Sequence, residues 1–362
     1  MSMQDPRGIG EDQWREIMAE WGEPAYRARQ VWEALQRQER SYDEMTNLPR
    51  DLRRRLAEHF PQAQPRVREE RQGADGSRKL LLELADGEGV EAVLLPRPWG
   101  YAGCISTQAG CRMGCAFCAS TLGGRRRQLT AGEMLAQVQA LGRLTPRGEL
   151  SRVLLMGSGE PLDNLAEVER FLELIHAPGG LEVGRRRTVL STCGLVPELR
   201  RLARRGLPLT LSVSLHAPAD DLRAQLMPVA GRYPLAELLD ACREWQERTG
   251  RMVTMEYVLL EGINDAPSQA RDLARLLAGR RHKVNLIPYN RVPERPFRAT
   301  RGPRREAFAR LLAEGGIPVT VRRSLGREVE AACGQLRRRR DADGGALQRG
   351  QRRGPTAGEQ RG

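Results

Sequence analysis

The stretch CRMGCAFC, Cys111–Cys118, sets three cysteines at the spacing C-x3-C-x2-C. Zinc and iron–sulfur sites held wholly by protein usually take four ligands. Either a distant side chain supplies the fourth, or another molecule does. What surrounds the loop decides the fold. Just upstream, AGCIST (102–107) reads as an apolar strand. Downstream the same unit of strand, loop and helix recurs. RVLLMG (152–157), RTVLST (187–192), LTLSVSL (209–215), VTMEYVLL (253–260) and KVNLIP (283–288) read as strands. Helical segments lie between them near 131–144, 164–176, 196–205, 234–248 and 266–279. A last helix (303–314) and strand (317–322) follow. A βα unit repeated about six times makes an α/β protein with a parallel sheet and helices outside, either a partial barrel or an open doubly wound sheet.

In both architectures ligands sit at the carboxyl ends of the strands. The distinctive residues fall there. The cysteine loop follows the first strand, GSGEP (157–161) the second, STCG (191–194) the third, SLHAP (214–218) the fourth and PYN (288–290) the sixth. Five chemically distinctive loops on one rim point to a site more strongly than any one of them.

Before this series, residues 11–60 show helical spacing. Trp14, Ile17, Met18 and Trp21 share one face, and Val31, Trp32 and Leu35 another. A third helix is expected in NLPRDLRRRLAEHF, with Asn47 as its cap and Pro49 near its first turn. Residues 66–96 alternate as strands, with Asp-Gly turn signals at 75–76 and 86–87. Residues 334–362 are rich in Arg, Gly and Gln with few apolar positions and are expected to be disordered. The expected organisation is a helical accessory unit (1–65), a strand-rich connection (66–96), the core (97–330) and a terminal loop and tail (331–362).

The chain has 362 residues and a net charge of +13, which suits a polyanionic partner such as RNA or DNA. Nearly all of that basicity is arginine; Lys79 and Lys283 are the only lysines. The last 29 residues hold eight Arg against Asp341, Asp343 and Glu359, so five of the thirteen charges sit in the tail. No apolar signal segment opens the chain and no run reaches the roughly 20 apolar residues of a membrane span. The expectation is a cytoplasmic protein. Seven cysteines, three of them clustered, suit metal binding or catalysis in a reducing compartment better than a disulfide framework.

Three cysteines on one loop admit two readings. One is a zinc knuckle with a distant fourth ligand, but no second C-x2-C or C-x2-H pair is present. The other is a [4Fe–4S] cluster held by Cys111, Cys115 and Cys118, with one iron left open for the amino and carboxylate groups of S-adenosylmethionine. The spacing, with the aromatic Phe117 before the last cysteine, resembles the radical-SAM superfamily. On that resemblance, Gly159 and Glu160 would receive the methionine ammonium. Ser191, Ser214, Leu215 and His216 would bind the ribose or carboxylate, and Asn290 the adenine or ribose.

Longer motifs narrow the family. DEMTNLP, CISTQAGCRMGCAFC, MGSGEPLDN, STCGLVPEL, SVSLHAPADDLR, MEYVLLEGIND, KVNLIPYN and EAACGQL occur in this order. Together they resemble the RlmN family of dual-specificity RNA adenine-C2 methyltransferases, from about residue 11 to 336. Two departures fall within the motifs: GSGEP where GMGEP is expected, and Cys193 in STCG, an extra thiol near the cofactor site. The resemblance implies a partial (βα)6 radical-SAM barrel. It implies methylation of adenine 2503 in 23S rRNA and adenine 37 in tRNA, with two S-adenosylmethionine molecules consumed per turnover. It assigns Cys333 as the S-methylated carrier, Cys104 as the cysteine that resolves the product by forming a disulfide with Cys333, and Glu91 as the base at C2. It further implies a flavodoxin or ferredoxin as electron donor. A monomer is the default. No role follows for Cys193, and Cys242 reads as a core residue of a helix. Phosphate contacts are expected from Arg27, Arg29, Arg50 and Arg53 to Arg55 of the helical unit, with binding that weakens in salt. The nearest alternative is a Cfr-type adenine-C8 methyltransferase, which shares the cluster and the cysteine pair. A noncatalytic RNA-binding protein with a structural metal is a second alternative.

Overall fold

A computed structural model describes residues 5–37, 41–62 and 64–322. Cys333 and the tail expected to be disordered lie outside the described residues. The amino-terminal unit has helices α1 (Glu11–Glu20), α2 (Tyr26–Gln36) and α3 (Arg50–His59). Their periodic apolar residues do turn inward: Trp14, Met18, Val31, Trp32, Leu35, Leu52 and Leu56 are all buried. Asn47 does not cap α3. The helix starts later, on Pro49, and the Asn47 carbonyl accepts a hydrogen bond from Arg27 instead. The unit shares its core with the rest of the chain. Gln139 donates to the carbonyls of Leu35 and Gln36, and Trp32 Nε1 to that of Pro178.

Strands β1 (Arg66–Gln72), β2 (Arg78–Glu83) and β3 (Gly89–Arg97) form an antiparallel meander. Its turns fall on the two Asp-Gly pairs, where Gly76 and Gly87 take φ of 75° and 84°. A left-handed backbone there costs glycine nothing. β3 pairs antiparallel with β4 (Gly100–Cys104), which opens the parallel series. Next comes a two-stranded hairpin that sequence periodicity does not reveal, β5 (Gln108–Gly110) with β6 (Arg125–Gln128), and it brackets the cysteine loop. Then follow α4 (Ala131–Gly142), β7 (Arg152–Leu155), α5 (Leu165–His176), β8 (Thr188–Thr192), α6 (Val196–Arg204) and β9 (Thr210–Ser214). The chain continues with α7 (Asp220–Leu226), α8 (Leu235–Thr249), β10 (Val253–Leu259), α9 (Pro267–Leu277), β11 (His282–Pro288), α10 (Gly302–Glu314) and β12 (Val319–Val321).

The main sheet runs β1-β2-β3-β4-β7-β8-β9-β10-β11-β12, parallel from β4 onward. The parallel strands lie in chain order with no reversal. A doubly wound sheet needs a reversal at its switch point. Connections of one hand between strands in chain order place every helix on one face and leave the other concave. The sheet is therefore a partial barrel, unclosed because β1 and β12 each have one neighbour. Among the described residues, no helix is long and apolar enough to cross a membrane.

Candidate cofactor and catalytic site

Side chains alternate along a strand, and register carries that alternation across the sheet. Ser191 is level with Ser212, Ser212 with Thr254, Ser214 with Glu256, and Glu256 with Asn285. These polar residues form the inward face of the barrel. Above them, at the carboxyl ends of the strands, lies a cavity of about 300 Å³. Its walls include Cys111, Cys115, Cys118, Gly159, Glu160, Ser191, Ser214, His216 and Asn290. Nine of the ten residues expected to hold the cluster or S-adenosylmethionine thus meet in one place. Leu215 does not. Its side chain is fully buried in the core, its N–H donates to the Glu256 carbonyl, and its own carbonyl accepts from Ala217.

The cysteine loop is tied down from several sides. Thr121 Oγ1 donates to the carbonyls of Cys115 and Cys118 at 3.2 and 3.0 Å. Arg295 donates to Thr121 Oγ1 at 2.9 Å. Asp163, just past the GSGEP loop, accepts from Arg112 inside the cysteine loop, from Arg125 at 2.8 Å and from Gln108 Nε2 at 2.8 Å. Gln108 Oε1 in turn accepts the Glu160 N–H at 2.9 Å. One carboxylate therefore joins the cysteine loop, the hairpin and the GSGEP loop. Nothing in the MGSGEPLDN motif by itself singles out Asp163, because its partners come from three separate segments.

The donor set fits an iron–sulfur cluster. Burial pushes the Cys111 thiol up to about 12 and the Cys115 thiol well above its ordinary value, and the neighbouring thiols add to both. Thiols raised in this way ionise together only when a cationic centre compensates them. Among the described residues no three His, Cys, Asp or Glu side chains converge on a point that one metal ion would occupy; the thiols share a cavity wall instead. Ser120 Oγ, buried in the same wall, has no hydrogen-bond partner among the described residues.

The GSGEP loop lies against the strand that precedes the cysteines. Gly157 and Gly159 allow it: a Cβ on Gly157 would sit 2.5 Å from the Ile105 carbonyl oxygen, and one on Gly159 2.7 Å from Gln108 Cβ. Ser158, the first departure from the family pattern, keeps its backbone pairing, with its carbonyl accepting from Thr107 at 2.9 Å. Glu160 is buried and burial raises its pKa, although its oxygens accept from Leu162 N at 3.0 Å and Cys193 N at 2.7 Å. His216 sits at φ 60°. Its Nδ1 accepts the Val258 N–H at 3.0 Å, which places its ring proton on Nε2. Burial, then the Arg223 charge, push its pKa down to about 3, so a neutral ring faces the cavity. Phe117 packs edge-on against it.

Cys193 also lines the cavity, with its thiol raised by burial. Cys242 is fully buried in α8, as expected of a packing residue. Glu256 was missed by sequence reasoning. It lies beneath the cavity, buried, and accepts from Asn285 Nδ2 at 2.7 Å.

Glu91 and Cys104 stand apart from the cluster wall but on the same inward face. Cys104 is level with Val93 and Leu154, and packs with Val93, Leu95 and Ala102 against Met156, which lines the cavity. Glu91 is two residues before Val93 on β3. It is 3% exposed and ion-paired at 3.0 Å with Lys79, which is fully buried on β2.

Residues 105–276 match the radical SAM superfamily, and residues 7–61 match the ribosomal RNA large subunit methyltransferase N-terminal domain. The chain is 50% identical over 336 residues to a probable dual-specificity RNA methyltransferase RlmN of Symbiobacterium thermophilum, covering 92% of this chain and 91% of that one. It is 47% identical over 337 residues to the protein of the same description in Desulforamulus reducens, covering 92% and 95%. A crystal structure of a radical SAM methyltransferase from Sphaerobacter thermophilus superposes with a TM-score of 0.88 at 43% identity, covering 92% of this chain and 98% of that one.

Proposed function

We propose, from the premise that this chain belongs to the RlmN family of radical-SAM RNA methyltransferases, that it methylates C2 of adenine 2503 in 23S rRNA and of adenine 37 in tRNA. The observation that carries the reading is the placement of Glu91 and Cys104 on the inward barrel face beside the cavity lined by the three cysteines.

Cys111, Cys115 and Cys118 would hold a [4Fe–4S] cluster, with the GSGEP loop, Ser191, Ser214, His216 and Asn290 around S-adenosylmethionine. When bound, the pair supplies a 5′-deoxyadenosyl radical. The chain's own groups do the rest. Adenine C2 is electron-poor and cannot attack an electrophilic methyl group, so the methyl is first placed on the Cys333 thiolate. Abstraction of hydrogen from that S-methyl leaves a carbon radical that adds to C2. Glu91 then removes the C2 proton. The adduct passes its odd electron to the oxidised flavodoxin or ferredoxin. The Cys104 thiolate then attacks the Cys333 sulfur, forming the disulfide as the carbon–sulfur bond breaks, and the methylene carbon takes a proton to become the methyl of the released base. The buried Lys79–Glu91 pair suits a base that must carry charge in an apolar setting. A flavodoxin or ferredoxin is the proposed electron donor, and a cytoplasmic monomer the working form.

The test is mass spectrometry in two steps. Anaerobically reconstituted protein incubated with S-adenosylmethionine gains one methyl on Cys333, and only with the cluster intact. RNA treated with the methylated protein then yields 2-methyladenosine. The 8-methyl isomer would reassign the chain to Cfr-type chemistry, and no methyl on Cys333 with the cluster verified would remove it as carrier.

A further inference from the structure

The arginines expected to meet phosphate in the helical unit are mostly engaged within the protein. Arg27 donates to Gln30 and to the Asn47 carbonyl, Arg29 pairs with Glu33, and Arg54 pairs with Asp51. Arg53 donates to the Asp43 carbonyl, and Arg55 lies 4.2 Å over the Trp21 ring. A different group on the barrel is less engaged, with Arg152 over the Trp99 ring as its one such contact among the described residues. Arg97, Arg152 and Arg322 form no ion pair with a carboxylate among the described residues.

Register puts the three on the inward face. Leu95 is level with Ala102, and Ala102 with Arg152; Arg97 is two residues beyond Leu95, level with Gly100. Gly100 and Ala102, level with them on β4, carry no long side chain. Thr320 is level with Asn285, so Arg322, two residues on, faces inward as well, and it lines the cavity. Arg322 comes from beyond β12, at the far edge of the sheet from β3. It reaches across the barrel's open side closely enough to bear on Arg97: burial, then the charges of Arg322 and Arg152, lower the Arg97 pKa. Trp99 caps the turn between β3 and β4. It is 47% exposed, and the Arg152 guanidinium stands 4.4 Å from its ring centroid.

Asp75 offsets part of the repulsion at Arg97, and Arg322 acts on the buried Glu256. Yet among the described residues no carboxylate pairs directly with any of the three guanidinium groups, so an anion joining them relieves the remaining repulsion. An indole with a guanidinium on its ring, half in solvent, is a platform on which an unstacked base can lie. We propose that Arg97, Arg152, Arg322 and Trp99 form the cradle that holds the RNA backbone at the barrel's open side while the target base enters the cavity. The proposal rests on the reading of the chain as an RNA methyltransferase. It moves the principal phosphate contacts from the helical unit to the barrel, and Arg322 makes them continuous with the cofactor cavity. A base turned out of its stack into that cavity would leave its flanking phosphates at the three arginines.

The experiment uses the full chain with its cluster, an unmodified tRNA transcript and a 23S rRNA fragment. RNA affinity is measured across a salt series for wild type, for R97Q/R152Q and for R322Q. The double variant is expected to bind more weakly at every salt concentration, with a slope of log K against log salt shallower by about 2, or about 1 per lost contact. R322Q is expected to lose about 1. The same slope and affinity as wild type would overturn the cradle. So would R322Q weakening S-adenosylmethionine while RNA binding stays intact, since Arg322 would then belong to the cofactor. Trp99 gives a measurement that needs no arginine variant. RNA should quench tryptophan emission in wild type and lose most of that quenching in W99F; equal quenching in both counts against the platform. Failure of the functional reading would look different: wild type would leave no methyladenosine in RNA, whatever the arginines bind.

Discussion

Gly159 shows how little room the cofactor loop has. Its φ of 109° is open to glycine but strained for any other residue, and an added Cβ would lie 2.8 Å from the Gln108 backbone nitrogen. Backbone cannot yield as a flexible side chain can. Gly159→Ala is therefore expected to destabilise the fold by about 2 kcal/mol or more in urea unfolding, and to lose S-adenosylmethionine binding measured by calorimetry. Lys79 is a second position where one residue decides. Removing its ammonium would leave the Glu91 carboxylate buried without that counter-charge, a change that costs about 3–5 kcal/mol. Lys79→Met should unfold at markedly lower urea than wild type, and Lys79→Arg should recover much of the difference. Glu91 also marks a limit of sequence reasoning. Alternation alone makes it a solvent-facing residue, and only the family resemblance singled it out. The structure buries both faces of β3, from Gly89 to Leu95, and the partner that makes a buried carboxylate tenable sits on another strand. A one-dimensional pattern does not display that pairing.

The elements legible in the sequence are those with enough length to show a period. The seven parallel strands and their main helices lie within a few residues of where apolar runs and helical spacing place them. The β5–β6 hairpin was not legible, because Gln108–Gly110 has three residues and Arg125–Gln128 reads RRRQ, with no apolar face. Yet this hairpin frames the cysteine loop, and Asp163 holds it in place. At 4% side-chain exposure, Asp163 accepts from two arginines and from Gln108. Hydrogen bonds to charged groups are worth about 1.5–3 kcal/mol each when one partner is lost. That energy lies between the hairpin, the cysteine loop and the GSGEP loop, not within the main sheet. Asp163→Ala is accordingly expected to leave the far-ultraviolet circular dichroism near wild type while lowering iron bound per chain after reconstitution. Iron content equal to wild type would show that the cysteine loop is held by Thr121 and Arg295 without the Asp163 clasp.

At the scale of the whole molecule, a strongly basic exterior surrounds an interior whose histidines are held neutral. The Nδ1 atoms of His216 and His282 accept from Val258 N and Gln246 Nε2. Protonation of either ring would place a donor against a donor. Burial pushes the two pKa values down to about 3 and about 4, from an ordinary 6.5. Above about pH 6.5 neither the folded nor the unfolded chain protonates these rings, and their contribution to stability is complete. Below it the unfolded chain takes up protons that the folded chain refuses, so stability falls as pH drops toward 4, by up to about 1.4 kcal/mol per pH unit for each ring. Glu160 and Glu256 act in the opposite direction. Burial raises their pKa, so the folded state holds those protons at a pH where the unfolded state has released them. The raw pH profile of stability therefore mixes two signs, and a single curve does not separate them. A difference does. His282→Gln keeps an acceptor for Gln246 but removes the titrating ring, while both carboxyl contributions cancel between the two proteins. Urea unfolding of cluster-free protein at steps from pH 7 to pH 4.5 should show the variant losing less stability than wild type, by up to about 1.4 kcal/mol for each pH unit below 6.5. Parallel curves would mean that His282 takes its proton in the folded barrel, and that the Gln246 contact does not fix the ring.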